Sequence, residues 1–447
     1  MTAPRSQDLV ARSLRSVWHP CTQMRHHESV PPIAVTSGHG AWLVDADGRR
    51  YLDAISSWWV NLFGHTNARI NGALIDQLGR LEHAMLAGFT HEPVVALSEK
   101  LSALTGHALG HCFYASDGAS AVEIALKMSV HAWRNAGHGD KTEFICVAGG
   151  YHGETLGALG VTDTAMFRTP YETMLRPAHI AASPDARQAQ PGECAADVAM
   201  RALADVEHIL QRRHGHIAAV IVEPLVQCAS GMAMHDAAYV AGLRRLCDTY
   251  GAHLIADEIA VGCGRTGSFF ACEQSGVWPD LLCLSKGISG GYLPLSLVMV
   301  QEPVYQAFYD DDVRRGFLHS HSYTGNALAC RAALETLAIF EDDQVLQRNA
   351  RLAQTIDAAL QPLAQDWRIA HYRHTGMIWA CDARIDDPAA AATFARRFAI
   401  EAGRGELLMR PIGNTLYLMP PYILDEQQVQ WLGQRVHEVF DTVMAGG

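Results

Sequence analysis

At 447 residues the chain is long enough for two domains and a large core. Hydrophobic residues make up 49% and charged residues 18%, the balance of a compact folded protein and not of a disordered one. A net charge of −12, with no block of Lys and Arg, argues against a nucleic-acid partner, because neutralising phosphates needs a basic surface. The eleven cysteines include no Cys-x-x-Cys pair, which favours reduced thiols over a disulfide framework or a zinc site. The opening Met1-Thr-Ala-Pro-Arg5 lacks an apolar signal core, and no apolar run approaches membrane-spanning length. The expectation is a cytoplasmic protein with no membrane contact.

Residues 1 to about 32 read as an N-terminal arm whose dense stretch is Trp18-His19-Pro20-Cys21-Thr22-Gln23-Met24. Ala41–Val44 and Arg50–Asp53 flank Asp45-Ala46-Asp47-Gly48, a hairpin signal. Ser56-Ser57-Trp58-Trp59 follows and leads to Gly64-His65. Adjacent tryptophans are usually core, but the glycine-containing loop beyond them leaves one ring able to line a pocket. From about residue 68, helices alternate with short apolar strands, which predicts parallel α/β architecture. Strands are predicted at Phe113–Ala115, Glu143–Ala148, Ile217–Val222, His253–Ala256 and Leu281–Leu284. Helices are predicted at about 119–133 and at 236–250, the latter closed by Gly251. Residues 183–195, polar with two prolines, read as a surface loop. Past about Ala327 a helix is followed by mixed elements, with strands near 377–381 and 415–419. The expected division is an arm with small-domain strands over 1–60, a large domain over 61–326 and a smaller C-terminal domain over 327–447.

Four predicted strands end in chemically loaded residues: Tyr151-His152, Glu223, Asp257 and Lys286. In open α/β sheets ligands sit outside the C-terminal ends of the strands. A lysine just past a buried strand is costly to keep as an ammonium ion unless a carboxylate partners it or it is converted to a covalent imine. That points to Lys286 as the lysine that carries pyridoxal phosphate. In isolation a lysine before a glycine is more often a solvated loop residue. Asp257 would then face the protonated pyridine nitrogen and keep the ring an electron sink, although a lone strand-end Asp is commonly a cap or an ion pair. Ser116-Asp117-Gly118-Ala119-Ser120 opens a helix whose first amides suit a phosphate, where the commoner use is an ordinary N-cap. The Tyr151 ring is placed to lie on a flat ligand or to be half-buried in its loop. Arg265 and Arg410 are candidate carboxylate clamps, because guanidinium binds carboxylate in a fork. His319 and His321 lie only two apart with no third ligand at suitable spacing, so no metal is expected.

The order Gly149-Gly-Tyr-His-Gly153, Ile221-Val-Glu-Pro224, Leu254-Ile-Ala-Asp-Glu-Ile259, Gly264-Arg-Thr-Gly267 and Leu284-Ser-Lys-Gly287 resembles the class III (omega) aminotransferases, pyridoxal phosphate enzymes of fold type I. The similarity covers nearly the whole chain. Trp18-His-Pro20, Ser56-Ser-Trp-Trp59 and Leu416-Tyr-Leu-Met-Pro-Pro-Tyr422 resemble, within that class, the members of biotin biosynthesis. Those aminate 8-amino-7-oxononanoate with S-adenosylmethionine as donor.

The resemblance implies a large domain with a mostly parallel central sheet flanked by helices, and a smaller α+β domain. It implies a homodimer with shared active sites. Lys286 would be the covalent lysine, Asp257 the partner of the ring nitrogen, and Tyr151 the stacking ring. Glu223 would lie at the cofactor, the amides of Gly118 and Ala119 would hold its phosphate, and Ser322 would reach in from the partner subunit. Trp58 and Tyr151 would shape the substrate pocket, with Cys21, Arg265 and Ser320 at its edges. Arg410 would bind the acceptor carboxylate, with Tyr417 nearby. Family members often carry Tyr at Cys21, Gly-Pro-Thr at Ser320-His321-Ser322 and Ser at Ala119. Cys21 removes a ring and a hydroxyl from the donor side, which keeps lysine, ornithine and 4-aminobutyrate in play as alternative donors.

Overall fold

The computed structural model describes residues 5–446. Met1 to Pro4, on which part of the N-terminal expectation falls, and Gly447 lie outside the described residues. The chain divides into two compact units. The larger holds Arg69–Arg351 with Arg373–Ala380, and the smaller holds the chain up to Ala68, Leu352–Tyr372 and the chain from Cys381. Helix Ala327–Asp342 packs on helix Glu92–Leu104 inside the larger unit, whereas the sequence division grouped 327–447 together.

The larger unit is built on a seven-stranded sheet. Its order is His111–Ala115, Ser296–Val300, Leu281–Leu284, His253–Asp257, Ile217–Val222, Glu143–Val147 and His179–Ala181. Ser296–Val300 runs antiparallel to both neighbours, and the other strand pairings of this sheet are parallel. Ile217–Val222, Leu281–Leu284 and Ser296–Val300 are buried at every position. Such uninterrupted apolar runs fit a sheet covered on both faces. Side chains then alternate between two cores, as the period of two requires. Ala219 and Ile221 meet Ile124, Ala125 and Met128 of helix Gly118–Asn135 on one face. Val220 and Val222 meet Leu203, Val206, Tyr239 and Leu243 of helices Ala195–Arg213 and Ala238–Tyr250 on the other. Those two helices approach closely at Gly242, where a Cβ would fall 2.2 Å from Leu203 Cδ1.

Lys141 ties the bottom of this layer together. Its Nζ donates to the carbonyls of His214 (2.6 Å), Ile217 (3.2 Å) and Gly251 (2.7 Å), and lies 4.8 Å from the Trp133 ring. His214 and Gly251 are the C-caps of the two helices, so one ammonium ion satisfies carbonyls at two negative helix ends.

In the smaller unit the hairpin forms as its Asp-Gly turn predicts. Trp42–Asp45 and Arg50–Asp53 pair antiparallel with Trp42 opposite Leu52, and Gly48 takes the positive φ of +84° that the turn needs. Val35–His39 adds to one side and Leu407–Leu408, parallel, to the other. The arm contains a helix, Arg5–Ser16, with no buried residue. Helix Glu426–Ala445 is N-capped by Asp425, which accepts from the Gln428 amide at 2.8 Å. All eleven cysteines are unpaired. Among the described residues no helix is long and apolar enough to cross a membrane.

Candidate active site

Four neighbouring strands of the large sheet, Glu143–Val147, Ile217–Val222, His253–Asp257 and Leu281–Leu284, are mutually parallel. Their C-terminal ends therefore share one sheet edge, and Tyr151, Glu223, Asp257 and Lys286 all follow from it. Asp257 is 4% exposed. Its Oδ1 accepts from the Ile259 amide at 3.1 Å, and its Oδ2 accepts from His152 Nδ1 at 2.8 Å. A carboxylate accepts only, so the His152 proton sits on Nδ1. His152 Nε2 is buried with no hydrogen-bond partner among the described residues. The His152 amide donates to Thr162 Oγ1 at 3.0 Å, which fixes the ring's backbone. Sequence reasoning left His152 without a role, although it stands beside Tyr151 in the same motif.

Glu223 is also buried. Its Oε2 accepts from the Tyr151 amide at 3.0 Å and its Oε1 from the Cys228 amide at 3.1 Å, so it sets where the Tyr151 backbone lies. Burial pushes its pKa up to about 7; Asp257 adds to the rise, and His152 and the two amides oppose it. The Tyr151 hydroxyl donates to Glu154 at 2.9 Å, and its ring lies 5.4 Å from that of Phe167. Lys286 has φ +48°, a left-handed backbone rare outside glycine and common at strained functional positions. Burial lowers its ammonium pKa, against the pull of Asp257, Cys228 and Glu223.

The start of helix Gly118–Asn135 adjoins this group. Asp117 caps it, accepting from the Ser120 amide and hydroxyl, both at 2.9 Å. The first intrahelical bond runs from Ala121 to the Asp117 carbonyl, so the amides of Gly118 and Ala119 precede the ladder. A Cβ on Gly118 would fall 2.9 Å from Ile259 Cγ2. A Cβ on Gly153 (φ +125°) would fall 2.6 Å from Ala119 Cβ. The helix start is thus packed against both the Asp257 strand end and the Tyr151 loop.

This donor set fits one kind of group. The helix start suits a phosphate, the buried Asp257 suits a protonated ring nitrogen, Tyr151 suits a flat ring and the Lys286 amine suits a carbonyl carbon. Ser320 and Ser322 lie on an exposed loop, where the Ser322 carbonyl accepts from His83 Nε2 at 2.8 Å. Among the described residues no hydrogen bond joins either serine to the Gly118 helix. His319 Nδ1 accepts from Lys127 Nζ at 2.8 Å. Among the described residues the grouping with metal-ligand spacing is Asp366, His437 and Asp441, and Arg368 is salt-bridged to both of its carboxylates. Arg265 is 1% exposed, and its carbonyl accepts from the Met377 amide at 2.7 Å.

The smaller unit gathers the other predicted residues. Arg410 is exposed; its Nη2 donates to the Cys21 carbonyl at 2.9 Å, and its guanidinium lies 5.0 Å from the centre of the Trp58 ring. Cys21 thus contributes its backbone to Arg410, a role indifferent to the side chain. Trp58 is 45% exposed and Trp59 7%. Trp59 Nε1 donates to the buried Tyr417 hydroxyl at 3.3 Å, and the two rings meet edge-on. The rings diverge because Ser56, Ser57, Trp58 and Trp59 have φ of 51°, 47°, 71° and 74°. Four successive non-glycine residues in a left-handed turn cost roughly 1–2 kcal/mol each.

Residues 23–440 match the family model described as aminotransferase class-III. The chain is 41% identical to the adenosylmethionine-8-amino-7-oxononanoate aminotransferase of Helicobacter pylori, over 98% of this chain and 99% of that relative. The crystal structure of the enzyme of the same name from Methanocaldococcus jannaschii matches with a TM-score of 0.90 at 31% identity, covering 98% of this chain and 99% of that one. An amine transaminase from an uncultivated Pseudomonas species, in its PLP-bound form, matches with a TM-score of 0.89 at 30% identity, covering 96% and 99%. The mixed, mostly parallel sheet flanked by helices is therefore the fold of these transaminases, and the chain is an enzyme that transfers amino groups. It belongs to the class III aminotransferases.

Proposed function

We propose that this aminotransferase converts 8-amino-7-oxononanoate to 7,8-diaminononanoate with S-adenosylmethionine as amino donor, using pyridoxal phosphate carried on Lys286. The observation that carries the substrate reading is the 41% identity to the Helicobacter relative along nearly the whole of both chains. Supporting it, Arg410 stands exposed beside Trp58, a cation and an apolar ring suited to a carboxylate on an aliphatic chain.

Bound pyridoxal phosphate supplies a carbonyl carbon that accepts and returns the amino group, and a conjugated ring that takes up the electrons left when the donor Cα–H is broken. The protein does the rest. Lys286 Nζ takes the proton from the donor Cα, and its burial-lowered pKa keeps more of it as neutral amine. Asp257 supplies fixed negative charge at the ring nitrogen, and the 2.8 Å bond from His152 holds its carboxylate in place. The Gly118 and Ala119 amides hold the phosphate, and Tyr151 covers the ring. In the second half the same residues work in reverse on the C7 ketone.

We further propose that two copies assemble, with the partner subunit's Ser322 completing the phosphate site; the exposure of the Ser320–Ser322 loop in one chain supports this. Eleven unpaired cysteines support a reducing, cytoplasmic setting.

The cofactor-loaded protein is to be given each donor alone, in the absence of acceptor. S-adenosylmethionine is expected to discharge the visible cofactor absorbance, and lysine, ornithine and 4-aminobutyrate to leave it unchanged. Discharge by one of those three, and not by S-adenosylmethionine, would replace the donor assignment.

A further inference from the structure

The left-handed turn Ser56–Trp59 contains no glycine, so its shape has to be imposed from outside. Asp53 is fully buried, with no exposed surface. Its Oδ1 accepts from the Ser57 amide at 2.8 Å and its Oδ2 from the Ser57 hydroxyl at 2.6 Å. The same Oδ2 accepts from His65 Nε2 at 3.1 Å. His65 Nδ1 in turn accepts from the Asn61 side-chain amide at 3.1 Å, which sets the ring proton on Nε2, facing Asp53. The His65 backbone is locked by two bonds with Gly40, 2.7 Å and 3.1 Å, and a Cβ on Gly38 would fall 2.8 Å from His65 Cβ. On the far side of the turn, Ser56 Oγ donates to the Met419 carbonyl at 2.8 Å.

A buried carboxylate needs donors, and here every donor comes from the turn or from the histidine behind it. None of these groups is used to bury apolar surface. What the device achieves is the divergence of the two tryptophans, Trp59 inward onto Tyr417 and Trp58 outward beside Arg410. A right-handed turn would put the rings elsewhere. We infer that Asp53 and His65 are positioning residues that hold the left-handed Ser56–Trp59 turn and so set how Trp58 and Arg410 are presented to the acceptor.

The inference rests on the proposed acceptor, and the test separates the two. Asp53→Asn puts an N–H where Oδ2 accepts, and His65→Gln removes the ring behind it. The KM for 8-amino-7-oxononanoate is measured for both variants alongside the rate of the donor half-reaction with S-adenosylmethionine. The expected result is a KM raised about tenfold, the size of one lost charge-assisted hydrogen bond, with the donor half-reaction within about twofold of wild type. A general loss of structure would depress both half-reactions together, and that result would overturn the inference. So would an unchanged acceptor KM in folded Asp53→Asn and His65→Gln proteins. His65→Gln, the milder change, keeps the test available if Asp53→Asn is insoluble. Wild-type protein that fails to aminate 8-amino-7-oxononanoate would instead remove the functional reading itself.

Discussion

Replacing Lys286 with alanine lowers turnover by about 10⁴-fold or more, measured as steady-state kcat with both substrates saturating. The expectation follows from two duties falling on one atom. In the proposed function Nζ is both the covalent attachment point and the group that moves the donor Cα proton, and the residues around it offer no substitute. Glu223 is committed to the amides of Tyr151 and Cys228, and Asp257 to His152 and the Ile259 amide. The loss should appear in kcat and not in the KM for the acceptor, because Lys286 is not a binding group for either substrate's distal end. A small added amine should not restore the rate fully, since the left-handed backbone at Lys286 holds the native amine in one place.

Asp257→Asn is the second large effect, expected to cost about 10³-fold in kcat, the upper range for removing one preorganised electrostatic group from a buried site. The side chain is 4% exposed, so solvent cannot replace the lost charge. Asparagine keeps the size and one acceptor but presents an amide that could not hold a proton on the nitrogen of a cofactor ring bound there as proposed. It also spoils the fit to His152, whose Nδ1–H would face an N–H if the amide oriented the wrong way. The comparison that isolates the charge is His152→Asn, which leaves Asp257 ionisable but less firmly held and should cost far less. Rates for both half-reactions should fall in Asp257→Asn, because the ring is an electron sink in each direction.

Much of this site is readable from strand-end chemistry. Lys286, Asp257 and Glu223 follow short apolar runs of strand length, and the α/β alternation puts their ends on one edge. The partner of Asp257 was not readable, because His152 is 105 residues away and nothing local distinguishes its ring from a loop histidine. Arg265 and Arg410 look alike in sequence, each beside loop residues, yet one is buried in the large unit and the other is exposed beside Trp58. The antiparallel Ser296–Val300 strand was hidden for a related reason: full burial erases the alternation that would mark it, and direction leaves no trace in composition. The handedness of Ser56–Trp59 was the least legible feature. A left-handed turn is normally announced by Gly or Asn, and here it is enforced by Asp53 and by Met419, 363 residues further along.

The arm helix Arg5–Ser16 is polar on average and buries nothing, so a short apolar face of Leu9, Val10 and Leu14 in an otherwise polar segment is its mark in the sequence. Its neighbour Cys21 is informative in another way. A side chain that differs from the tyrosine common in the family still delivers the backbone carbonyl that holds Arg410. On the proposed reading the acceptor side keeps Arg410 while the donor side loses a ring, which makes the donor comparison the informative assay for substrate choice.

The most direct measurement of the central claim is a peptide map of the cofactor-loaded protein after borohydride reduction. Mass spectrometry should find the reduced pyridoxyl group on Lys286. The group on a different lysine, or on none, would contradict the account.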